Sequence, residues 1–382
     1  MPTLLIGWEL GGGGGHIHRL VPIIDRYLER GWTIVAALRL RQAGQALFAR
    51  TFAASLGNGR LTVVQAPIFL HRRRGAQSTS SLAEIFAHIG FAEPELWMPV
   101  VSAWERLIAL HRPDAIISDI APSLNLAASG RLPVVVIGNG WTIPPNVDGA
   151  ASFSNEIGPT VSANAAAVRV VEAAFTLTRG RHSSSRFSDL LRGRANMVCT
   201  LQAFDPYAKD REESYFWPFE IPGAGGEEKT RERGFIYLPQ KHPALPAVLA
   251  VVAAGDLEYD AYLDGFDPAC RNLRVAAQPL DLSRILSKAV LAIHHGGLGT
   301  AIECWVNRVP QLVLPLDTEK MIVGAGVAEA HAGGILRPDI RQGELQAMIE
   351  KVARLSVSDP DCSRMATTRP EESLGKLCHE TG

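Results

Sequence analysis

The chain has 382 residues, of which 47% are hydrophobic and 20% charged, a composition typical of a globular protein of about two or three domains. Its net charge of −1 offers no basic excess for a nucleic-acid surface, so no nucleic-acid partner is expected. Five scattered cysteines without a CxxC pair argue against a zinc site and a disulfide framework. No apolar run reaches the roughly eighteen residues of a membrane span, and the N-terminus lacks the basic start of a signal peptide. We expect a cytoplasmic location, with peripheral membrane contact at most.

The first half of the chain alternates predicted strands and helices. The first predicted strand is Thr3–Gly7, and a glycine run separates it from a helix that begins at Ile17 and is capped by Gly31. Further strands are predicted at 33–38, 61–64, 113–119, 133–137 and 197–201, and a long helix at 163–178. The strand at 197–201 would be the last of its domain. This pattern predicts one doubly wound α/β domain over residues 1–205.

Residues 206–233 are rich in proline, glycine and charge, which predicts a linker. A second βα series occupies residues 234–382. Its predicted strands are 235–238, 273–276, 289–293 and 311–314, and its predicted helices are 244–254, 300–307 and 345–355. The fold class is therefore α/β, with two doubly wound parallel-sheet domains.

The segment AVLAIHHGGLGTAIECWVNRVPQLVLPL, Ala289 to Leu316, predicts a βαβ unit with a glycine turn. His294 and His295 would lie at the carboxyl end of its buried strand, just before a helix. Free amides and the helix dipole at that end favour an anion, which glycines allow to approach the backbone. The pattern therefore indicates a phosphate site with an imidazole beside it and a carboxylate, Glu303, further along the helix. The alternatives are a histidine bonded to a backbone carbonyl and a solvated glutamate.

The glycine run at 11–15 fits the permissive GxGxxG pattern of dinucleotide sites. Such a site needs an acidic residue after the second strand, whereas this chain has Arg39 and Arg41 there. The arginines leave an NADP site open, and a tight turn without a ligand is the other alternative. Five consecutive glycines cost conformational entropy on folding, which favours a role in close backbone approach.

His16 ends the glycine run, and Asp119 ends a strand of the same predicted sheet. Both would lie at the carboxyl edge, where a histidine supported by an aspartate forms a general-base pair. The alternatives are an exposed loop histidine and an aspartate that caps the following helix. The basic cluster at 72–74 is interpreted as a solvated loop rather than a phosphate clamp.

These motifs resemble those of one family. HHGGLGTAIE resembles the donor-binding signature of inverting glycosyltransferases with the GT-B fold, which include the UDP-glycosyltransferases and the macrolide and deoxysugar transferases. In that family a histidine and a glutamate eight residues later hold the nucleotide sugar, and His295 and Glu303 have this spacing. His16, in GGHIHRL, and Asp119, in PDAIISD, match the family's catalytic base and the aspartate that orients it. Segments 205–207, 278–281 and 285–286 are similar to further family segments.

The resemblance implies two Rossmann-like domains facing a cleft, the first binding the acceptor and the second the nucleotide sugar. It implies inversion at the anomeric carbon, a nucleotide sugar as co-substrate, and neither a cofactor nor a metal. The implied base is His16, supported by Asp119. The implied donor-binding residues are His295, Gly296, Gly297, Gly299, Thr300 and Glu303, with Asp317 or Glu319 at the sugar hydroxyls.

An apolar small molecule or a lipid is the predicted acceptor. The reason is a group of apolar residues in predicted loop regions: Phe69, Leu70, Phe86, Phe91, Trp97, Trp141 and Ile143. The motifs do not specify the sugar, the nucleobase (UDP, dTDP or GDP), the acceptor or the oligomeric state. Two other functions are compatible with the motifs: a nucleotide-sugar epimerase of the same fold, and an NADP-binding protein that uses the glycine loop.

Overall fold

A computed structural model describes residues 1–69, 79–153, 158–180, 185–217, 231–263, 266–278, 280–337 and 339–367. The chain forms two compact units. Unit 1 comprises Met1–Cys199, Pro206–Phe219 and Met365–Gly382, and unit 2 comprises Thr200–Asp205 and Glu220–Arg364. The basic cluster at 72–74 and Leu70 lie outside the described residues.

Unit 1 is built on a parallel sheet with the order β3-β2-β1-β4-β5-β6-β7. Its strands are β1 (Thr3–Trp8), β2 (Thr33–Leu38), β3 (Leu61–Gln65), β4 (Ala115–Asp119), β5 (Val134–Gly138), β6 (Ala195–Cys199) and β7 (Tyr215–Phe216). Its α-helices are α1 (Gly15–Glu29), α2 (Arg41–Thr51), α3 (Ala53–Gly57), α4 (Leu82–Phe86), α5 (Pro94–His111), α6 (Pro122–Ala128) and α7 (Val161–Thr178). A π-helical turn spans Ala87–Phe91, and a 3-10 helix spans Phe187–Leu191.

Unit 2 is built on a second parallel sheet, with the order β10-β9-β8-β11-β12-β13. Its strands are β8 (Arg233–Tyr237), β9 (Tyr259–Tyr262), β10 (Leu273–Val275), β11 (Ala289–His294), β12 (Gln311–Val313) and β13 (Gly333–Ile335). Its α-helices are α8 (Leu245–Ala254), α9 (Leu282–Leu286), α10 (Leu298–Val306), α11 (Thr318–Glu329) and α12 (Gln342–Ala353), and a 3-10 helix spans Gln202–Phe204.

The two sheets share one strand order. Numbered within its own unit, each runs 3-2-1-4-5-6, the doubly wound order of nucleotide-binding folds, and unit 1 adds a seventh strand. The order reverses between the first and fourth strands, which are β1 and β4 in unit 1 and β8 and β11 in unit 2. Ligands bind doubly wound sheets beyond the carboxyl ends of the strands at this reversal point. Trp8 pairs with Asp119 there in unit 1, and Tyr237 pairs with His294 in unit 2.

Burial on both faces explains why the central strands are continuous apolar runs. Every residue of β4 and β5 is buried, as expected for parallel strands covered by helices on both sides. Helix α1 buries one stripe against the sheet, including Ile17, Leu20, Ile24 and Tyr27, and leaves a polar face outside. The predicted α/β class and parallel sheets are therefore confirmed.

The structure differs from the sequence predictions at the edges of the units. Residues 197–201 do not form the last strand of unit 1, because β7 adds a further strand at that edge. The described part of the predicted linker contains Tyr207 and Tyr215, which are both buried, and Tyr215 accepts a backbone hydrogen bond from Ala366 at 2.7 Å. The boundaries of the compact units thus differ from the predicted ones, which end the first domain at residue 205 and begin the second at residue 234.

The apolar residues that suggested an acceptor surface are mostly core residues. Five of them are at least nine-tenths buried: Phe69, Phe86, Phe91, Trp97 and Ile143. Phe91 stacks on Phe69 and contacts Phe86 and Trp97, so these rings fill space between helices. That basis for an apolar acceptor is wrong. Of the described members, only Trp141 is partly exposed, and it stacks on Phe153 at 4.2 Å.

Gly333 gives a direct test of the edge strand β13. A Cβ at this position would lie 2.0 Å from the backbone oxygen of Gln311 on β12, so Gly333→Ala must push the two strands apart. Overpacking of this kind costs about 1–3 kcal/mol. We expect Gly333→Ala to lower the melting temperature of unit 2 in differential scanning calorimetry.

Gly343→Ala is the matched control, because a Cβ there meets nothing within 4 Å and the residue is exposed in α12. Alanine is favoured over glycine in a helix by about 0.5–1 kcal/mol, so this variant should melt at the same temperature or slightly higher. Equal melting temperatures for the two variants would contradict the register of β13 against β12.

Candidate active site

His16 and Asp119 meet at the reversal point of unit 1. His16 is the second residue of α1, Asp119 is the last residue of β4, and imidazole Nδ1 lies 2.9 Å from Asp119 Oδ2. A carboxylate only accepts hydrogen bonds, so Nδ1 carries a hydrogen, and in the neutral ring the lone pair is then on Nε2. The sequence placed these two residues at one edge of the sheet, and they are in contact there. The contact uses Nδ1 of His16 and not Nε2.

Arg19 completes the surroundings of Asp119. The carboxylate is fully buried, and Arg19 NH1 lies 3.6 Å from its Oδ1. Burial alone would raise the pKa of Asp119, but the charges of His16 and Arg19 and the hydrogen bond from His16 lower it below its ordinary value. Sequence reasoning missed Arg19, although its position three residues after His16 puts both side chains on one helix face.

Trp8 and Gly11 hold the His16 ring from two sides. The Trp8 ring stacks on the imidazole with centroids 4.7 Å apart. Gly11 has a φ of +82°, and a Cβ on it would lie 2.9 Å from His16 Nε2, so this glycine is required by the close approach of the backbone to the ring. The alternative of Asp119 as a helix cap is wrong, because the N-cap position of α6 is Ala121.

His294 has a structural role at the reversal point of unit 2. It is fully buried, its Nε2 donates to Gln311 Oε1 at 3.0 Å, and its Nδ1 accepts from the backbone N–H of Gly296 at 3.1 Å. Gln311 in turn donates to the backbone oxygen of Ala301 in α10. Burial lowers the pKa of His294 to about 3, so the ring is neutral and joins β11, β12 and α10.

The ring of His295 lies in a different environment from that of His294. Its ring makes an edge contact with Tyr237, with centroids 5.0 Å apart, at the end of β8. Burial and the positive charge of Lys320 lower the pKa of His295, against a hydrogen bond to the Tyr237 backbone that raises it. A neutral imidazole with a cationic side chain nearby thus lies at the carboxyl end of β11.

The glycine turn brings the backbone to the start of α10. Gly296 has a φ of +93°, and a Cβ there would lie 2.9 Å from the backbone oxygen of Lys320. Gly297 is the N-cap of α10, and among the described residues no side chain caps this helix. Gly299 and Thr300 lie in its first turn, so its amide groups are available to an anion.

Glu303 lies on α10 and carries an unsatisfied buried oxygen. Among the described residues, its Oε2 has no hydrogen-bond partner. Burial and the charge of Asp281 raise the pKa of Glu303. A buried carboxylate oxygen without a partner is costly, which is typical of a group that a ligand satisfies.

Asp317 and Glu319 lie at the start of α11. Asp317 is exposed and is the N-cap of this helix, where it accepts from the backbone N–H of Lys320 at 2.9 Å. Glu319 accepts from Lys320 Nζ at 3.1 Å. Sequence reasoning missed Lys320 and Tyr237. The pairing of β8 with β11 brings Tyr237 next to His295, and the charge of Lys320 in α11 acts on the His295 ring.

The described ranges contain neither a metal-binding cluster nor a membrane-spanning helix. These residues contain no group of three or more His, Cys, Asp or Glu side chains placed to hold a metal ion. In the same part of the chain, no helix is long and apolar enough to cross a membrane.

Comparison with known proteins gives two curated relatives, and no family model matches the chain. Tylactone mycaminosyltransferase of Streptomyces fradiae is 28% identical over 147 residues, which are 35% of this chain and 32% of that protein. 10-Deoxymethynolide desosaminyltransferase of Streptomyces venezuelae is 32% identical over 134 residues, which are 34% of this chain and 30% of that protein. The chain thus spans about a third of the length of the curated relatives it matches.

Solved structures match over the whole chain. The calicheamicin glycosyltransferase CalG4 has a TM-score of 0.62 at 16% identity and covers 100% of this chain and 94% of its own. The fold is GT-B. The spinosyn rhamnosyltransferase SpnG complexed with thymidine diphosphate has a TM-score of 0.60 at 17% identity and covers 99% of this chain and 100% of its own. The GT-B fold and the resemblance to macrolide and deoxysugar glycosyltransferases are both confirmed.

The neutral state of His294 predicts how stability depends on pH. The unfolded ring has a pKa of 6.5 and the folded ring about 3, so below pH 6.5 the unfolded chain binds the extra proton. Stability therefore falls as the pH drops from 6.5 towards 3, by about 2 kcal/mol at pH 5 from this group. Urea denaturation of unit 2 at pH 7.5, 6 and 5 should show this loss.

His294→Gln is the matched variant, because an amide can form neutral hydrogen bonds and does not titrate. It should be less stable than the wild type at pH 7.5 but lose less free energy of unfolding between pH 7.5 and pH 5. His242 also has a pKa lowered by burial and keeps its own contribution in both proteins. The same pH dependence in both proteins would show that His294 is not held neutral.

Proposed function

We propose that the chain is a glycosyltransferase that moves a sugar from a dTDP- or UDP-linked donor to a hydroxyl group of a small aglycone acceptor. The reaction inverts the anomeric carbon and needs no metal. The hydrogen bond between His16 and Asp119 carries this proposal, because it leaves an imidazole nitrogen free to act as a base at the reversal point of a GT-B sheet.

His16 is the general base in this proposal. The acceptor hydroxyl donates to Nε2 and transfers its proton as the oxygen attacks the anomeric carbon. The buried, ionised Asp119 holds the ring in the required tautomer and stabilises the imidazolium that forms. The new C–O bond forms on the face opposite the departing diphosphate, which inverts the configuration.

The start of α10 takes the diphosphate. Its uncapped amides, with Gly296, Gly297 and the first-turn residues Gly299 and Thr300, form an anion site that the helix dipole favours. His295 lies beside this turn, and the charge of Lys320 acts on it. These groups can stabilise the negative charge that develops on the leaving diphosphate, which is the role a metal ion has in other transferases.

Glu303 binds the ribose of the nucleotide, and Asp317 and Glu319 at the start of α11 bind the transferred sugar. The unsatisfied Oε2 of Glu303 is an acceptor for a ribose hydroxyl. Asp317 uses one oxygen as a helix cap and retains acceptor capacity for a sugar hydroxyl, as does the carboxylate of Glu319 beside Lys320.

The similar proteins support the two substrate classes. They include a tylactone mycaminosyltransferase, a 10-deoxymethynolide desosaminyltransferase, and structures of a spinosyn rhamnosyltransferase with thymidine diphosphate and with spinosyn aglycone. A dTDP-linked sugar and a small hydroxyl-bearing aglycone are therefore the first substrates to test, ahead of UDP-linked sugars and lipids. Neither the epimerase nor the NADP-binding alternative has a specific observation in its favour.

Nucleotide binding tests the donor half of the proposal. We expect dTDP to raise the melting temperature of the protein in a thermal-shift assay, with UDP, GDP and NADPH as comparisons. Glu303→Gln replaces the carboxylate acceptor by an amide and should weaken dTDP binding about 10- to 100-fold, the range for a hydrogen bond to a charged group. Isothermal titration calorimetry gives the dissociation constants.

Glu350→Gln is the matched control, an exposed glutamate of α12 in the same unit, and it should bind dTDP like the wild type. Two results would count against the donor assignment: stabilisation by NADPH and by no nucleoside diphosphate, or equal dTDP affinity in the Glu303 and Glu350 variants.

Steady-state kinetics test the assignment of His16 as the general base. His16→Ala should lower kcat for sugar transfer by about 100- to 10,000-fold, since general-base catalysis contributes that much. Asp119→Asn should lower it strongly as well, because the amide can hold the wrong tautomer. The assay is mass spectrometry of products from dTDP-glucose and a panel of hydroxyl-bearing aglycones, with KM for the donor measured in parallel.

The glycine run supplies a paired control for the base. Gly11→Ala would put a methyl group 2.9 Å from His16 Nε2, whereas Gly12→Ala meets nothing within 4 Å and has an ordinary φ. Gly11→Ala should therefore lose transfer activity and Gly12→Ala retain it, with the donor KM unchanged in both. Transfer that survives His16→Ala at the wild-type rate would show that another group is the base.

A further inference from the structure

Glu9 is a buried carboxyl group that the proposed reaction does not use. It follows the last residue of β1, is fully buried, and lies seven residues before His16. Burial raises its pKa to about 8, against the hydrogen bonds from Ser123 and the charge of Arg39. A carboxyl group in such a place is costly unless its hydrogen bonds are needed.

Both oxygens of Glu9 contact one residue of α6. The backbone N–H of Ser123 donates to Oε2 at 3.0 Å, and the Ser123 hydroxyl donates to Oε1 at 2.6 Å. The same hydroxyl accepts from Trp97 Nε1 at 2.8 Å, so its own hydrogen is directed at Glu9. Glu9 thus acts as a cap for α6, whose N-cap residue Ala121 has no side-chain oxygen.

These contacts join the two segments that carry His16 and Asp119. Asp119 is followed by Ile120, whose φ of +40° turns the chain towards α6, and Leu10 donates a backbone hydrogen bond to the Ile120 oxygen at 3.1 Å. The segment 9–10 is therefore bonded to the segment 120–123 at two points. The glycine run 11–15 connects Leu10 to His16, and glycines restrict the backbone little. The bonds of residues 9 and 10 therefore fix the chain at the point where this run begins.

We propose that Glu9 is a positioning residue: its bonds to Ser123 fix the segment before His16 against the turn after Asp119 and so keep imidazole Nδ1 on the Asp119 carboxylate. The catalytic consequence of this role rests on the proposed function, whereas the geometric role does not. Glu9 is not itself the base, because both of its oxygens are engaged by Ser123 inside the core.

The two bonds reach different oxygens of Glu9. The Ser123 hydroxyl donates to Oε1, and the Ser123 backbone N–H donates to Oε2. An amide can imitate this arrangement, with its oxygen on the Ser123 N–H and its NH₂ on the hydroxyl. Glu9→Gln is therefore the conservative rescue variant, and Glu9→Leu, of similar volume, is the variant that removes both bonds.

The test observes the His16–Asp119 hydrogen bond without relying on an acceptor. In ¹⁵N-histidine-labelled full-length protein, the exchange-protected imidazole N–H resonance of His16 is assigned by its disappearance in His16→Gln. We expect Glu9→Leu to lose this resonance and Glu9→Gln to keep it. In the transfer assay, kcat should fall about 10- to 100-fold in Glu9→Leu with the donor KM unchanged, since small displacements of a catalytic group cost that much.

Val170→Ala controls for a general loss of stability, because Val170 is a fully buried residue of α7 and the variant should melt lower yet keep the resonance and kcat. Ser123→Ala gives a second variant if Glu9→Leu does not fold. It removes the hydroxyl bond to Glu9 and the bond that this hydroxyl accepts from Trp97, but keeps the backbone bond to Glu9, and the His16 resonance should lose intensity or protection. A folded Glu9→Leu with the wild-type resonance, an unchanged resonance in Ser123→Ala, or an equal loss in Val170→Ala overturns the proposal.

The two proposals fail in different ways. If His16→Ala retains transfer while Glu9→Leu loses the His16 resonance, the base assignment is wrong and the positioning role of Glu9 stands. If His16→Ala is inactive while Glu9→Leu keeps both resonance and kcat, the base assignment stands and the role of Glu9 is refuted. In a double variant, Glu9→Leu should add little to the loss caused by Asp119→Asn, because both act through the orientation of one ring.

Discussion

Parallel strand pairing next to the point where the strand order reverses is the constraint on which both candidate sites depend. It sets Trp8 opposite Asp119 in unit 1 and Tyr237 opposite His294 in unit 2. Parallel strands end at the same edge of a sheet, so the loops that follow them meet there however far apart they are in the chain. His16 and Asp119 are 103 residues apart in sequence and in contact for this reason.

Buried polar groups then shape the loops at these edges, and burial and neighbouring charges set the charge state of each. Asp119 stays ionised because His16 and Arg19 face it. His294 stays neutral because burial lowers its pKa, and its two ring nitrogens are bonded to Gln311 and Gly296. His242 repeats this arrangement, with Nε2 donating to the Leu314 oxygen and Nδ1 accepting from the Ala244 amide. Such groups are expensive to bury unless paired, so they also specify one loop conformation.

Long central strands were predictable and short edge strands were not. The strands at 33–38 and 289–294 are continuous apolar runs because helices cover both of their faces. β9, with the sequence YDAY, is only four residues long and includes an aspartate, and β13 contains two glycines, so neither carries the signal of a buried strand. β7 has two residues and forms only because β6 is beside it. The aromatic residues 86, 91 and 97 were misassigned because sequence alone does not separate a packed ring from a ring in a binding surface.

The sequence by itself determined the α/β class, the two glycine turns and the chemical types at their ends, because strand burial and backbone freedom are local properties that one chain segment displays. It also brought out His16, Asp119, His295 and Glu303, through spacing within single segments. Only the tertiary structure showed the structural role of His294, placed Arg19 on Asp119, and linked Glu9 to Ser123. These roles depend on which atoms of distant segments come within hydrogen-bond distance, and no pattern within one segment records that.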